Sequence, residues 1–136
     1  MRKDSRLSRM LHILVHMEQM EEAATSDHIA KILNTNPVVV RRTMGCLRDQ
    51  GYVTSVKGHG GGWRLNVALQ DISLLDIHNA LGESSVFTIG LSDENTQCLI
   101  EKAVNREIGA ALKASEDFLL TRFAEVTLDK LNWAKT

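Results

Sequence analysis

No apolar run in this chain exceeds a few residues, the stretches 13–15 and 38–40 being typical. Neither the apolar segment of a signal peptide nor a membrane-spanning helix is therefore expected, and the protein reads as soluble and cytoplasmic. Cysteine is scarce: Cys46 and Cys98 lie far apart without CxxC spacing, which argues against a disulfide scaffold and a zinc ribbon and leaves each to act, if at all, as a single thiol. Pro37 is the only proline, and there is no internal repeat or low-complexity tract. Nucleophile-elbow sequences, paired catalytic carboxylates and cofactor fingerprints are missing as well, so an enzyme has little support. His12 and His16 stand four apart, the spacing of two metal ligands on one helical face. With no third ligand near them and no HExxH pattern, they read as an ordinary polar stripe, and no metal site is expected.

What is present suffices for one compact domain. A hydrophobic fraction of 43% over 136 residues supports one core of roughly 100 residues with an arm attached, but not two independent cores. The net charge of −1 hides an asymmetry: residues 1–66 carry ten basic against six acidic side chains, and the remainder six against eleven. A basic front half suits a polyanion, and an acidic back half suits something else.

The apolar residues Leu7, Met10, Leu11, Leu14 and Met17 recur at three- and four-residue steps, which predicts a first helix over about 4–20. Ser26 is the expected cap of a short second helix, "DHIAKILN", with Asp27 in its first turn. Asn36 followed by Pro37 marks the start of a third helix that runs to about Gln50 and stops at Gly51. "YVTSV" and "GWRLN" alternate around a glycine-rich turn and predict a two-stranded hairpin. Three helices with a tight second turn, then a hairpin, make a winged helix-turn-helix.

Ser73 and Asp76, in capping-box spacing, and Gly82 bracket a fourth helix with Leu74, Leu75, Ile77 and Leu81 on its apolar face. After a connecting loop over 83–92, a helix without proline is predicted from near Asp93 to about Val126, roughly 45 to 50 Å long. Its residues Ile100, Val104, Ile108, Ala111, Phe118 and Phe123 fall near one stripe, which needs a second chain to cover it. The chain thus divides into a winged helix-turn-helix domain with its following helix over 1–82, the connector 83–92, and a dimerisation helix with a C-terminal segment over 93–136. The fold class is mainly α with a small β-hairpin.

On the third helix, Arg41, Arg42 and Arg48 lie opposite Val40, Met44 and Leu47, as in a helix that packs on one face and enters a major groove with the other. From Asn36 to Arg64 there are five basic residues and one acidic. In the turn, Lys57, Gly58, His59, Gly60 and Gly61 form a tip whose peptide N–H groups and lysine can meet phosphates or a narrow minor groove. Four glycines exceed what positive φ alone would require of a turn, and close approach to a backbone is the reading they suggest. A nucleotide loop fails here, because Trp63 takes the third glycine place of G-x-G-x-x-G and a strand follows.

The stretch "TNPVVVRRTMGCLRDQGYVTSVKGHGGGWRL", followed by "DISLLDIHNAL" and a long helix ending in "EVTLDKL", resembles the Rrf2 family of bacterial winged-helix transcription regulators over nearly the whole chain. The resemblance implies that Asn36, Val38, Arg41 and Arg42 read the operator and that Lys57, His59 and Gly60 belong to a wing in the minor groove. Many members hold an iron–sulfur cluster on three closely spaced cysteines ahead of the long helix. Here only Cys98 stands there, one thiol cannot hold such a cluster within a subunit, and a cluster-free member is implied. Lys57 replaces a commoner arginine, and Trp63 a commoner tyrosine.

Cys98 falls in the first turns of the long helix, where the dipole can lower a thiol's pKa; a sensor thiol and a small buried apolar residue are both open readings. Cys46 is expected to pack. The loop from Glu83 to Ser92, with Phe87, offers an alternative lining for a small-ligand pocket. Together these readings describe a homodimeric, sequence-specific DNA-binding regulator, a repressor by expectation, on a palindromic double-stranded operator, with candidate DNA contacts at Ser26, Asn36, Val38, Arg41, Arg42, Arg48, Lys57, Gly58, His59, Gly60 and Gly61. The competing reading is a winged-helix protein-interaction module without DNA.

Overall fold

The structure, a computed structural model, describes residues 4–82, 86–87, 90–93 and 95–131. Helix α1 (Arg6–Glu18) buries Met10, Ile13, Leu14 and Met17. Leu7 and Leu11, expected in the buried stripe, are only partly covered, and Ile13 takes the central place. Helix α2 (Ser26–Leu33) starts one residue earlier than the sequence suggests. Its cap is Thr25, whose hydroxyl accepts from the His28 amide at 3.1 Å, and Ser26 is the first helical residue.

Asn34, left-handed at φ 53°, turns the chain out of α2 within three residues. Helix α3 (Pro37–Asp49) then begins as predicted: Asn36 Oδ1 accepts from the Val39 amide at 3.0 Å, and Pro37 occupies the first turn, where its missing N–H costs nothing. Strands β1 (Val53–Val56) and β2 (Gly62–Leu65) pair antiparallel, with Val53 opposite Leu65 and Val56 opposite Gly62. The far edge of β2 is also used: Ala24 and Trp63 exchange both backbone hydrogen bonds, at 2.9 and 2.8 Å. The wing is therefore tied to the α1–α2 connection as well as to its own partner strand.

A 3₁₀ turn over Leu69–Asp71 leads to α4 (Leu74–Ala80). The capping box forms in full: Ser73 Oγ accepts from the Asp76 amide at 3.1 Å, and the Asp76 carboxylate accepts from the Ser73 amide at 2.9 Å. Ile77 and Ala80 are its buried residues, while Leu74, Leu75 and Leu81 are only partly covered. Of the connector expected at 83–92, residues 83–85 and 88–89 lie outside the described residues, as do 94 and 132–136 of the region beyond it.

Helix α5 (Leu99–Glu125) begins six residues after Asp93 and is about 40 Å long, shorter than the sequence suggests. The cause is local. Asn105 Nδ2 donates to the carbonyls of Ser92 and Asp93 at 3.3 and 3.4 Å, and Leu91 lies against Gly109. The preceding segment is thus folded back along the helix it was expected to extend.

Beyond α5 the chain re-enters the body. The Leu74 amide donates to Val126 O, and the Leu128 amide to Ile72 O, both at 2.9 Å. Leu128 is fully buried in the same cluster as Met10, Ile72 and Ile77. A boundary at residue 93 therefore does not divide the molecule by packing: the arm is α5 alone, and its C-terminal end is sewn into the first domain. Burying one leucine this completely stabilises by about 1.5 to 3 kcal/mol.

Candidate nucleic-acid interface

Helix α3 has two unlike faces. Val40, Met44 and Leu47 are buried, and Cys46 packs partly against the same core, as expected. Opposite them, at i, i+3 and i+4, stand Val38, 61% exposed, and the exposed Arg41 and Arg42. Asn36 is exposed at the head of this face, its side-chain oxygen engaged in the cap. The face occupies the N-terminal half of the helix, the end that carries positive dipole charge and meets base edges in helix-turn-helix proteins.

Arg48 differs. In the last turn of the helix, its guanidinium lies 3.6 Å from the Asp49 carboxylate, and its Cζ sits 6.0 Å from the centre of the Trp63 ring. Among the described residues Arg41, Arg42 and Lys57 have no ion-pair partner, whereas Arg6, Arg48, Arg106, Lys113 and Arg122 each have one. Positive charge without an ion-pair partner thus stands on the helix face and wing that the sequence singled out, as it also does at Arg9, Lys31 and Lys102 elsewhere in the chain. Ser26 is placed otherwise: its Oγ accepts from Trp63 Nε1 at 3.1 Å and is turned toward the wing strand.

The wing tip runs over Lys57–Gly61, all exposed except the half-buried Gly61, and closes with the Gly61 amide donating to Gly58 O at 2.9 Å. Its glycines have internal reasons. A Cβ on Gly62 would lie 2.4 Å from Ala24 O, with φ at 144°, and one on Gly61 would lie 2.4 Å from Val56 O. Gly58 and Gly60 sit at positive φ in open space. Two glycines are thus demanded by packing and two by the turn. This corrects the reading that their number exceeds what the hairpin needs, because the second edge of β2, invisible in the sequence, consumes one of them.

On α5, Ile100, Val104, Ile108 and Phe118 are exposed, at 77%, 47%, 39% and 70%, and Leu99 joins them at 78%. Ala111 is exposed on the same stripe. Phe123 departs from it: half-buried, it meets His78 of α4 edge-on, with ring centres 6.0 Å apart. Cys98 is the N-cap of α5 and is exposed, so it lies outside the first turn and is not the buried apolar residue that one reading expected. Phe87 and the described part of its loop are flanked by residues outside the description; a cavity of about 540 Å³ opens elsewhere, at the wing base, among Met17, Trp63, Leu65 and Leu69.

An iron or iron–sulfur group would need clustered donors. Among the described residues no three His, Cys, Asp or Glu side chains are placed to hold a metal ion. The chain's two cysteines are split between the core side of α3 and the head of α5. One chain therefore does not present the thiolate set of a cluster. The His12 and His16 rings lie 4.8 Å apart, tilted by 56°, and among the described residues no third donor completes a metal site with them.

Residues 4–132 match the family described as Rrf2, iron-dependent transcriptional regulator. The chain is 30% identical over 125 residues to YwnA of Bacillus subtilis, named an HTH-type transcriptional regulator, with 92% of each protein covered. Among solved structures it is similar to a transcriptional regulator from Lactobacillus plantarum, with a TM-score of 0.78 and 21% identity over 93% of this chain and 87% of that one. It is also similar to CymR, the global cysteine regulator of Bacillus subtilis, with a TM-score of 0.66 and 20% identity over 100% and 98%.

Proposed function

Because the chain belongs to the Rrf2 family of transcriptional regulators, we propose that it works as a homodimer whose two α3 helices read a roughly palindromic operator about one DNA turn apart. It is a DNA-binding regulator and not an enzyme, and no described helix is long and apolar enough to cross a membrane. Family membership also removes the reading of the winged helix as a protein module without DNA.

The observation that carries the proposal is the exposed, unpaired Arg41 and Arg42 beside Val38 on a helix whose other face is fully buried. Arginine forks suit base edges, and Val38 suits a thymine methyl. Lys57 and His59 on the exposed tip would take phosphate or minor-groove contacts, the sequence-independent part of the affinity. The uncovered apolar stripe of α5 from Leu99 to Phe118, about 30 Å long, is what a second copy would bury. Repression, by occupying a promoter, is the mode this arrangement serves without further parts. No cluster is invoked. A redox signal, if the regulator receives one, enters through the exposed Cys98, and Cys98→Ser then abolishes oxidant-dependent release from DNA.

The test is selection of genomic fragments by the purified, reduced protein at near-physiological salt, with its mass in solution measured alongside. Enrichment of a palindrome by a dimer is the expected result. A monomer at micromolar concentration, or salt-sensitive binding to every fragment alike, would refute the proposal.

A further inference from the structure

Trp63 sits where three parts of the DNA-binding body meet. Its backbone is paired on both edges, with Ser55 of β1 on one side and with Ala24 on the other. Trp63 is 8% exposed, and its indole N–H donates to Ser26 Oγ at the first residue of α2. On α3, the Arg48 guanidinium lies by the same ring, 6.0 Å from its centre. One side chain thus touches the wing, the helix before the turn and the end of the helix after it.

A two-stranded ribbon alone is at best marginally stable, so its orientation must come from what it packs on. Here that support is narrow. Three residues of β1 are exposed, and along β2 only Trp63 is buried. A buried indole N–H needs an acceptor, and Ser26 supplies it; removing the hydroxyl would strand the donor. Arg48, half exposed, has its guanidinium near Asp49 and the ring, contacts that Arg41 and Arg42 do not share.

We propose that Trp63, Ser26 and Arg48 form a positioning unit that fixes the wing relative to the recognition helix, and that Arg48 acts through Trp63 rather than as a reader of DNA. The inference rests on the operator reading above, since it assigns how the two contact elements keep their mutual placement. Reading a groove with a helix and a wing at once requires both held to a fraction of an ångström, a task for supporting contacts rather than for the contact residues themselves.

The full-length protein tests this in four forms: Ser26→Ala, Trp63→Phe, the double variant, and Arg48→Ala. The first readout needs no DNA. Hydrogen exchange at the Ala24 and Trp63 amides should speed up about tenfold in Ser26→Ala and Trp63→Phe, and by no more in the double variant, because both changes remove one hydrogen bond. The second is binding: operator affinity should fall about tenfold while affinity for random DNA stays within about twofold. Arg48→Ala should weaken operator binding and leave the salt dependence unchanged, because no phosphate contact is lost.

Unchanged exchange in both single variants overturns the unit whatever DNA does, and Ser26→Ala keeps the test valid if Trp63→Phe folds poorly. A salt slope reduced by about 1 in Arg48→Ala, or relaxed preference at a single base pair, overturns its strut role. Faster exchange in a protein whose parent form selects no operator upholds the unit as a wing anchor and removes the operator reading instead.

Discussion

The body and the arm of this protein follow opposite rules. The winged body gathers its buried apolar side chains into one cluster, from Met10 to Ala80 and back to Leu128, whereas α5 buries none of its 27 residues. Both regions are amphipathic in sequence; they differ in whether one chain can satisfy the apolar face. In the body, helices α1 to α4 and the hairpin cover one another. On α5, only the C-terminal end meets α4, through contacts such as Phe123 on His78, and the stripe from Leu99 to Phe118 faces water. An apolar face of that length on a folded chain marks an interface rather than a core.

The strongest way to probe the contrast is to cut the stitch between the regions. Leu128→Ala removes a fully buried side chain from the body's cluster and should destabilise the protein by about 2 to 5 kcal/mol in urea unfolding. A change under about 1 kcal/mol would show that the segment after α5 is not part of the body. Next comes the arm. Ile100→Asp places a charge on the exposed stripe and should raise the dimer dissociation constant about a hundredfold, about 3 kcal/mol, in sedimentation. The isolated monomer should keep the helical circular dichroism of its body. Loss of that signal together with the dimer would merge the two regions into one cooperative unit.

Within the body, the reading face should behave differently from its support. Arg41→Ala should cost about 1 to 3 kcal/mol of discrimination at one base pair of the operator, with affinity for random DNA falling far less. Lys57→Ala should weaken both alike and flatten the salt slope by about one ion. Equal losses on operator and random DNA for both variants would erase the distinction between helix and wing. Smaller still is the effect at a helix end remote from DNA contacts. Ser73→Ala breaks the capping box of α4 and should lower stability by about 1 kcal/mol, with operator specificity unchanged.

Where the sequence was legible, the signal was local. The Asn36–Pro37 start of α3, the capping box of α4, the alternating hairpin strands and the exposed Arg41–Arg42 pair of α3 depend on residues within a turn or two of one another, and each stands where it was expected. What it hid was long-range. Ser26 reads as a cap until Trp63, 37 positions away, takes its hydroxyl and leaves capping to Thr25. Gly62 reads as spare flexibility until Ala24 is found against it. Helix α5 reads as beginning at Asp93 until Asn105 folds that segment back, and Leu128 reads as a tail until the Ile72 backbone draws it into the core. What covers the α5 stripe is the remaining long-range term, and the proposed dimer assigns it to a second copy of the chain.

The smallest expected effect is a pH dependence at the first described turn. The Arg6 guanidinium and amide beside Asp4 hydrogen-bond its carboxylate and hold its pKa at about 2, below the ordinary 3.8. A carboxyl whose folded pKa is depressed stabilises the fold above its unfolded pKa, so the contribution is complete above about pH 4 and fades as pH falls toward 2. Both side chains are 52% exposed, which caps the pair at about 0.5 kcal/mol in ordinary salt. Asp4→Asn should therefore lower the body's unfolding midpoint slightly at pH 7, the difference shrinking in 1 M salt and largely gone near pH 2. Dimer dissociation should be untouched, because the pair sits at the head of α1 and not on the exposed stripe of α5. A shift in the dimer constant at neutral pH would place this end of α1 in the interface and extend the arm's territory onto the body.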